Sequence, residues 1–158
     1  MYGFGKRTSG ILNFVNKYLN LCAEETIKTS VIDISIADWG GLRTAEIQYD
    51  LFKKGYSKAQ GFTTLSYHQK TDDEGKSLAL DLCAYFQGEI NYNFQRLVYI
   101  NTLYICTWSK LKALGKIPNN LFLNNGLFWK ASSNNESNMG WDLGHHQISL
   151  KRQKPTLI

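Results

Sequence analysis

The chain has 158 residues, 43% of them hydrophobic, and a formal net charge of +5, with a sequence pI near 9.1. That composition excludes a disordered chain and predicts one folded domain over residues 1–150, while no apolar run is long enough to span a membrane and the opening MYGFGKRTSG lacks the apolar core of a secretory leader. The positive balance suits an anionic partner, although Lys151, Arg152 and Lys154 supply much of it from a solvated basic tail, residues 151–158.

Thr8 or Ser9 can cap a first helix, and Ile11, Leu12, Val15, Leu19, Cys22, Ala23 and Ile27 recur at helical spacing, which predicts one helix running to about Lys28. Val31, Ile32, Ile34 and Ile36 are β-branched and predict a short strand. Trp39-Gly40-Gly41-Leu42-Arg43-Thr44 reads as a turn into a second helix, with Thr44 as N-cap, Glu46 in the first turn, and Ile47, Leu51 and Phe52 as its buried side. Gly55 fits its C-terminal stop.

Residues 56–77 show no period, and Gln69 to Lys76, with Asp72, Asp73, Glu74 and Gly75, reads as an exposed loop. Leu78 to Phe86 is densely apolar and predicts a central strand, closed by a turn at Gln87-Gly88-Glu89. A long helix follows from about Tyr92 to Leu114, with Phe94, Leu97, Val98, Leu103, Ile105, Trp108 and Leu111 on its buried face. Leu121-Phe122-Leu123 and Leu127-Phe128-Trp129 flank a hairpin-like turn at Asn124-Asn125-Gly126. Ser132 to Asn138 is a polar loop, and Gly144 to Leu150 alternates as a last strand. The order of elements predicts an α+β domain: a small, mainly antiparallel sheet with helices packed on it.

Cys22, Cys83 and Cys106 form no CxxC pair and are odd in number, which argues against a disulfide framework and a cysteine zinc site. They read as small buried thiols in a reduced compartment.

Asp81 is the most informative residue. It lies among Leu78, Ala79, Leu80, Leu82, Cys83 and Ala84, where an ionised carboxylate costs several kcal/mol unless it is paired or bound to a metal. A salt bridge to a Lys or Arg, or a place on a sheet edge, satisfies the same demand. His68 precedes the polar loop, and His145 and His146 share the last strand. Period-2 geometry puts His145 and Gln147 on one face and His146, Ile148 and Leu150 on the other, so that His145 is free to meet a metal. Asp142, three residues before His145, suits either a proton-transfer group beside a metal or a turn residue. Two imidazoles, one carboxylate and an open fourth position are the donor set of a zinc hydrolase.

Phe4-Gly5-Lys6-Arg7, Gly41-Leu42-Arg43-Thr44 with Glu46 and Gln48, Gly55-Tyr56-Ser57-Lys58, Ser66-x-His68, Ala79-x-Asp81 and Asp142-x-x-His145 occur in that order. The series resembles the D-Ala-D-Ala carboxypeptidase family of zinc peptidases, and within it the phage endolysins that cleave between L-alanine and D-glutamate in peptidoglycan stem peptides. The hedgehog signalling domain shares that fold. The resemblance runs from about Phe4 to Ile148. It implies that His68, Asp81 and His145 bind zinc, that Asp142 is general base and acid, and that Arg43 stabilises the oxyanion, holds a substrate carboxylate or serves the scaffold. Ser66 and Gln48 resemble substrate-groove or supporting residues.

Two departures stand out. Twelve residues separate His68 from Asp81 where the family usually has six; an insertion within Gln69 to Lys76 restores the match, with Asp72 or Asp73 as the other candidate ligands. Asn125-Gly126-Leu127-Phe128-Trp129 replaces the Trp-Gly-Gly run that often precedes the last motif. The expected activity is zinc-dependent hydrolysis of peptidoglycan stem peptides by a monomer without nucleic-acid partner or membrane insertion, resident in a host cytoplasm until lysis. A D-Ala-D-Ala carboxypeptidase and a catalytically silent metal-containing wall-binding module are the alternatives.

Overall fold

In the computed structural model, which describes residues 1–128 and 142–150, the elements follow in the order α1 (Lys6–Leu12), α2 (Lys17–Thr29), β1 (Ile34–Ile36), α3 (Ala45–Lys53), β2 (Ala79–Phe86), β3 (Glu89–Asn91), α4 (Phe94–Ala113), β4 (Phe122–Asn125) and β5 (His145–Ser149). The strands make one antiparallel sheet in the order β1-β2-β5-β4, with β3 folding back on the end of β2. This is the α+β architecture that the element order predicts.

β2 organises the rest because its alternation separates two jobs. Leu80, Leu82 and Ala84 point into the main core against Leu19, Ile27, Ile100 and Tyr104, each leucine contributing about 1.5–3 kcal/mol by burial. Period 2 then sends Ala79, Asp81 and Cys83 to the opposite face. β5 divides in the same way. Ile148 joins the core, and His146 stacks on Tyr104 with ring centroids 4.0 Å apart, while His145 and Gln147 face the other side.

The first predicted helix is two. The apolar stripe is buried from Leu12 to Ile27 with Ile11 half-buried, but the backbone breaks at Asn13–Asn16. Asn16 N donates to Ser77 O at 2.9 Å and its side chain accepts from Tyr18 N, capping α2. A single missed turn hardly disturbs a 3.6-residue stripe, so periodicity alone runs through the break. Neither Thr8 nor Ser9 caps α1; Gly5 takes that position, and Thr8 reaches Ser35 instead. β1 omits Val31, which is exposed.

Thr44 caps α3 as expected, its hydroxyl accepting from Ile47 N at 3.3 Å, and Gly55 ends the helix with φ +76°. Its buried face, however, carries Gln48 and Leu51, while Ile47 and Phe52 face solvent. Gln87 and Gly88 both have positive φ, the requirement of a tight two-residue hairpin turn, and this creates β3, which no hydrophobic run announces. On α4 the buried line is Leu97, Ile100, Asn101, Tyr104, Trp108 and Leu111, and Phe94 is exposed.

Asn124-Asn125-Gly126 does not turn a hairpin. β4 pairs with β5 through Asn125, and Gly126–Phe128 is a short 3-10 turn. Cys22 and Cys83 are buried, but Cys106 is exposed. Trp129, the loop at Ser132 to Asn138, Trp141 and the tail 151–158 lie outside the described residues.

Candidate metal centre

The turn at Trp39–Arg43 builds the floor of the site. Gly40 O accepts from Asp81 N at 2.8 Å, and Arg43 N donates to His68 O at 3.0 Å, so one turn clips the backbones of two predicted ligands. A Cβ on Gly40 would stand 2.7 Å from Ile36 Cγ2 and 3.0 Å from Asp81 O, which explains a glycine there. Asp81 and His145 are direct cross-strand partners in the β2–β5 ladder, and a cross-strand pair holds two side chains on one face within reach of each other.

Three side-chain atoms converge. Asp81 Oδ1 lies 3.1 Å from His68 Nε2 and 2.9 Å from His145 Nδ1, and the two nitrogens are 3.2 Å apart. Their outer nitrogens are tied. His68 Nδ1 donates to Gly41 O at 2.8 Å, and His145 Nε2 donates to Gln147 Oε1 at 3.0 Å. Since those acceptors take the outer protons, the inner nitrogens present lone pairs to a carboxylate oxygen. Three lone-pair atoms at such distances repel unless a proton or a cation stands among them. Outer-nitrogen anchoring of this kind orients metal-binding histidines. Among the described residues, His68, Asp81 and His145 are the group able to share a metal ion. The donor set therefore fits zinc, with room for a non-protein ligand.

Electrostatics divide the pair. Burial pulls His68 below its usual range despite the nearby carboxylate. Burial acts on His145 in the same sense, but the Asp81 hydrogen bond and charge outweigh it and raise the ring. Desolvation would raise the half-buried Asp81 carboxyl, but the charges of His68 and Arg43 with the hydrogen bonds to His145 and His68 outweigh it and hold the group well below the usual range.

Asp81 Oδ2 is gripped by Arg43 Nη2 at 2.5 Å. Arg43 also donates from Nε to Trp39 O at 2.5 Å and from Nη1 to Gln48 Oε1 at 3.2 Å. Thus the salt bridge that the sequence offered as an alternative to metal binding exists, on the carboxylate oxygen turned away from the histidines. Asp72 is occupied elsewhere: its Oδ1 accepts from Glu74 N and Lys76 N, and its Oδ2 from Asn16 Nδ2. Asp73 is exposed and outside the converging group.

Asp142 Oδ2 stands 4.0 Å from His145 Nδ1. Burial first, and then the charge of Asp81, push its carboxyl up to about 6, with His145 and Arg43 pulling partly back. A carboxyl in that range exchanges protons near neutral pH. Gly126 is the seat of Asp142, for a Cβ on Gly126 would fall 1.8 Å from the Asp142 carbonyl oxygen.

A cavity of about 470 Å³ opens over these groups, walled by Trp39, Tyr56, Lys58, Tyr67, Tyr92 and Leu143, with Arg43, Ser66 and Asp142 on its lining. The Ser66 hydroxyl oxygen is buried there and has no hydrogen-bond partner among the described residues. Gln48, which resembles a substrate-groove or supporting residue, is fully buried and absent from the cavity wall, so a direct place in the groove does not hold. Gln147 and the Gly41 carbonyl were not expected to serve the site. Sharing the His145 face of β5 was the one signal for Gln147.

Comparison of the sequence with family models and with curated proteins gives no match. Among solved structures, the chain is similar to the crystal structure of the Serratia marcescens L-Ala D-Glu endopeptidase ChiX, with a TM-score of 0.63 and 17% identity over 94% of this chain and 90% of that one. The likeness shows a shared fold.

Proposed function

We propose that the protein is a zinc-dependent peptidoglycan peptidase that hydrolyses the L-Ala–D-Glu bond of stem peptides. The observation that carries the reading is the convergence of His68 Nε2, Asp81 Oδ1 and His145 Nδ1, with both outer ring nitrogens anchored. The choice of bond is supported by the motif order in the sequence and by the structural neighbour, an L-Ala D-Glu endopeptidase. The order of motifs, close to that of the phage branch, supports a role as an endolysin.

Zinc held by the three donors would lower the pKa of a water molecule to about 7 and polarise the scissile carbonyl. The chain's own groups supply the rest. Asp142, at the cavity edge beside His145, accepts the proton of the attacking water and returns it to the departing amine. Arg43 lines the cavity, and N–H groups not given to Trp39, Gln48 and Asp81 would donate to the carbonyl oxygen as it gains charge. The unpartnered Ser66 hydroxyl offers a hydrogen bond to the peptide backbone. Trp39, Tyr56 and Tyr92, all exposed at the rim, provide apolar area along the groove.

The test is mass spectrometry of purified peptidoglycan digested with the zinc-loaded protein. New L-Ala carboxyl and D-Glu amino termini are expected, and a chelator should abolish them. Loss of terminal D-Ala would make the protein a carboxypeptidase. No new terminus, with zinc bound, would make it a silent wall-binding module.

A further inference from the structure

Gln48 is a buried amide with polar partners on two sides. It has no exposed surface, and a buried amide must find partners for its oxygen and its NH2. Its Oε1 accepts from Arg43 Nη1 at 3.2 Å, and its Nε2 donates to Ser57 Oγ at 2.7 Å and to Ala59 O at 2.9 Å. On one side stands the guanidinium that grips Asp81 Oδ2 at 2.5 Å. On the other stand Ser57 and Ala59, which line the cavity.

A carboxylate can turn about its last torsion and offer a metal either oxygen or both. Asp81 is held on Oδ2 only as firmly as the Arg43 plane is held. An arginine side chain is long and flexible, and its fork is directional only when the plane is fixed. Trp39 O fixes Nε and Gln48 Oε1 fixes Nη1, so two protein acceptors define the plane.

We infer that Gln48 is a positioning residue: through Arg43 it makes Asp81 present Oδ1 alone to the metal, and through Ser57 and Ala59 it ties the substrate wall to the same bracket. The inference rests on the reading of His68, Asp81 and His145 as a zinc centre. Gln48 touches neither metal nor substrate, so its effect belongs in metal affinity as well as in turnover.

The experiment is a zinc competition titration of the metal-free full chain against a chromophoric chelator, with the melting temperature of each metal-free variant recorded alongside. Gln48→Met keeps the length of the side chain and removes its hydrogen bonds. It should bind zinc about ten-fold more weakly than wild type, the scale of losing a partner behind a ligand. Arg43→Lys, which loses the fork, should fall by about the same factor. The double variant should be no weaker than the weaker single, because both act through one contact. Gln48→Glu retains an acceptor for Arg43 Nη1 and should stay within about threefold of wild type.

A role in the fold alone would lower melting temperatures without producing this order. Gln48→Met binding as tightly as wild type, Gln48→Glu losing as much as Gln48→Met, or losses that multiply in the double variant would each overturn the inference. Should Gln48→Met fail to fold, the contrast of Gln48→Glu with Arg43→Lys decides by the same order. A wild-type chain that takes up no zinc overturns the metal-centre reading itself, and this inference with it.

Discussion

Replacing Gly126 by alanine should separate metal capture from turnover. The new Cβ would lie 1.8 Å from the Asp142 carbonyl oxygen and 3.3 Å from Asp142 Cβ, where contacts below 3.0 Å are essentially unknown. Asp142 or the 3-10 turn must therefore shift by about 1.2 Å, a displacement of the size that costs about 100-fold when it moves a reacting group. In barrier terms that is about 2.7 kcal/mol. Two of the proposed metal donors have supports apart from Asp142, His68 on Gly41 O and Asp81 on Gly40 O and Arg43; His145 N does donate to the displaced Asp142 O at 3.0 Å, but its strand is paired on both sides and its ring is held by Gln147 Oε1 at 3.0 Å. Overpacking should cost about 1–3 kcal/mol of stability and leave the chain folded. Zinc content measured by atomic absorption should stay stoichiometric, while the rate of release of new amino termini from purified muropeptides falls about 100-fold. Wild-type turnover in folded, zinc-loaded Gly126→Ala would refute the placement of Asp142 in the reaction. Loss of zinc in the folded variant would refute the independence of the two parts.

Three further outcomes follow from the site and the core. His68→Ala, Asp81→Ala and His145→Ala should each lose zinc and muropeptide cleavage, whereas Asp142→Asn should keep the metal and lose at least about 100-fold in turnover, read by metal analysis and initial rates on the same preparations. Asp72→Ala and Asp73→Ala should retain zinc, because Asp72 brackets its own loop and Asp73 faces solvent; loss of zinc in either would move the ligand from Asp81. Burial pushes Cys22 and Cys83 up to about 12, so at pH 8 a disulfide reagent should titrate one thiol, the exposed Cys106, in the native protein and three after denaturation.

What the sequence made legible is what local chemistry decides. A carboxylate inside an apolar strand must have a partner, and that singled out Asp81 over the nearer but solvated Asp72 and Asp73. Thr44 as a cap, Gly55 as a stop, and the split of His145 from His146 across β5 all follow from short-range geometry. What stayed hidden depends on distant residues. The break at Asn16 is made by Ser77, sixty-one positions along the chain, and β3 exists because Gln87 and Gly88 turn back sharply enough for Glu89–Asn91 to find β2. The face of α3 was misread for a related reason. Hydrophobicity favoured Ile47 and Phe52 for the interior, but the polar demands of Arg43, of the Ser57 hydroxyl and of the Ala59 carbonyl draw Gln48 inward. Oil-like partitioning cannot foresee a buried amide whose partners come from other loops.

Because Asp81 faces His145 across one rung of the ladder, alignment of the sheet and assembly of the centre are a single event. A slip of β5 by one position would bring His146 to the front and send His145 into the oil behind it. On the proposed zinc-centre reading such a mispaired chain would have no grip on an ion, while the native one would be stabilised by it, so a bound cation would act as a proofreader that draws the polypeptide toward its correct pairing.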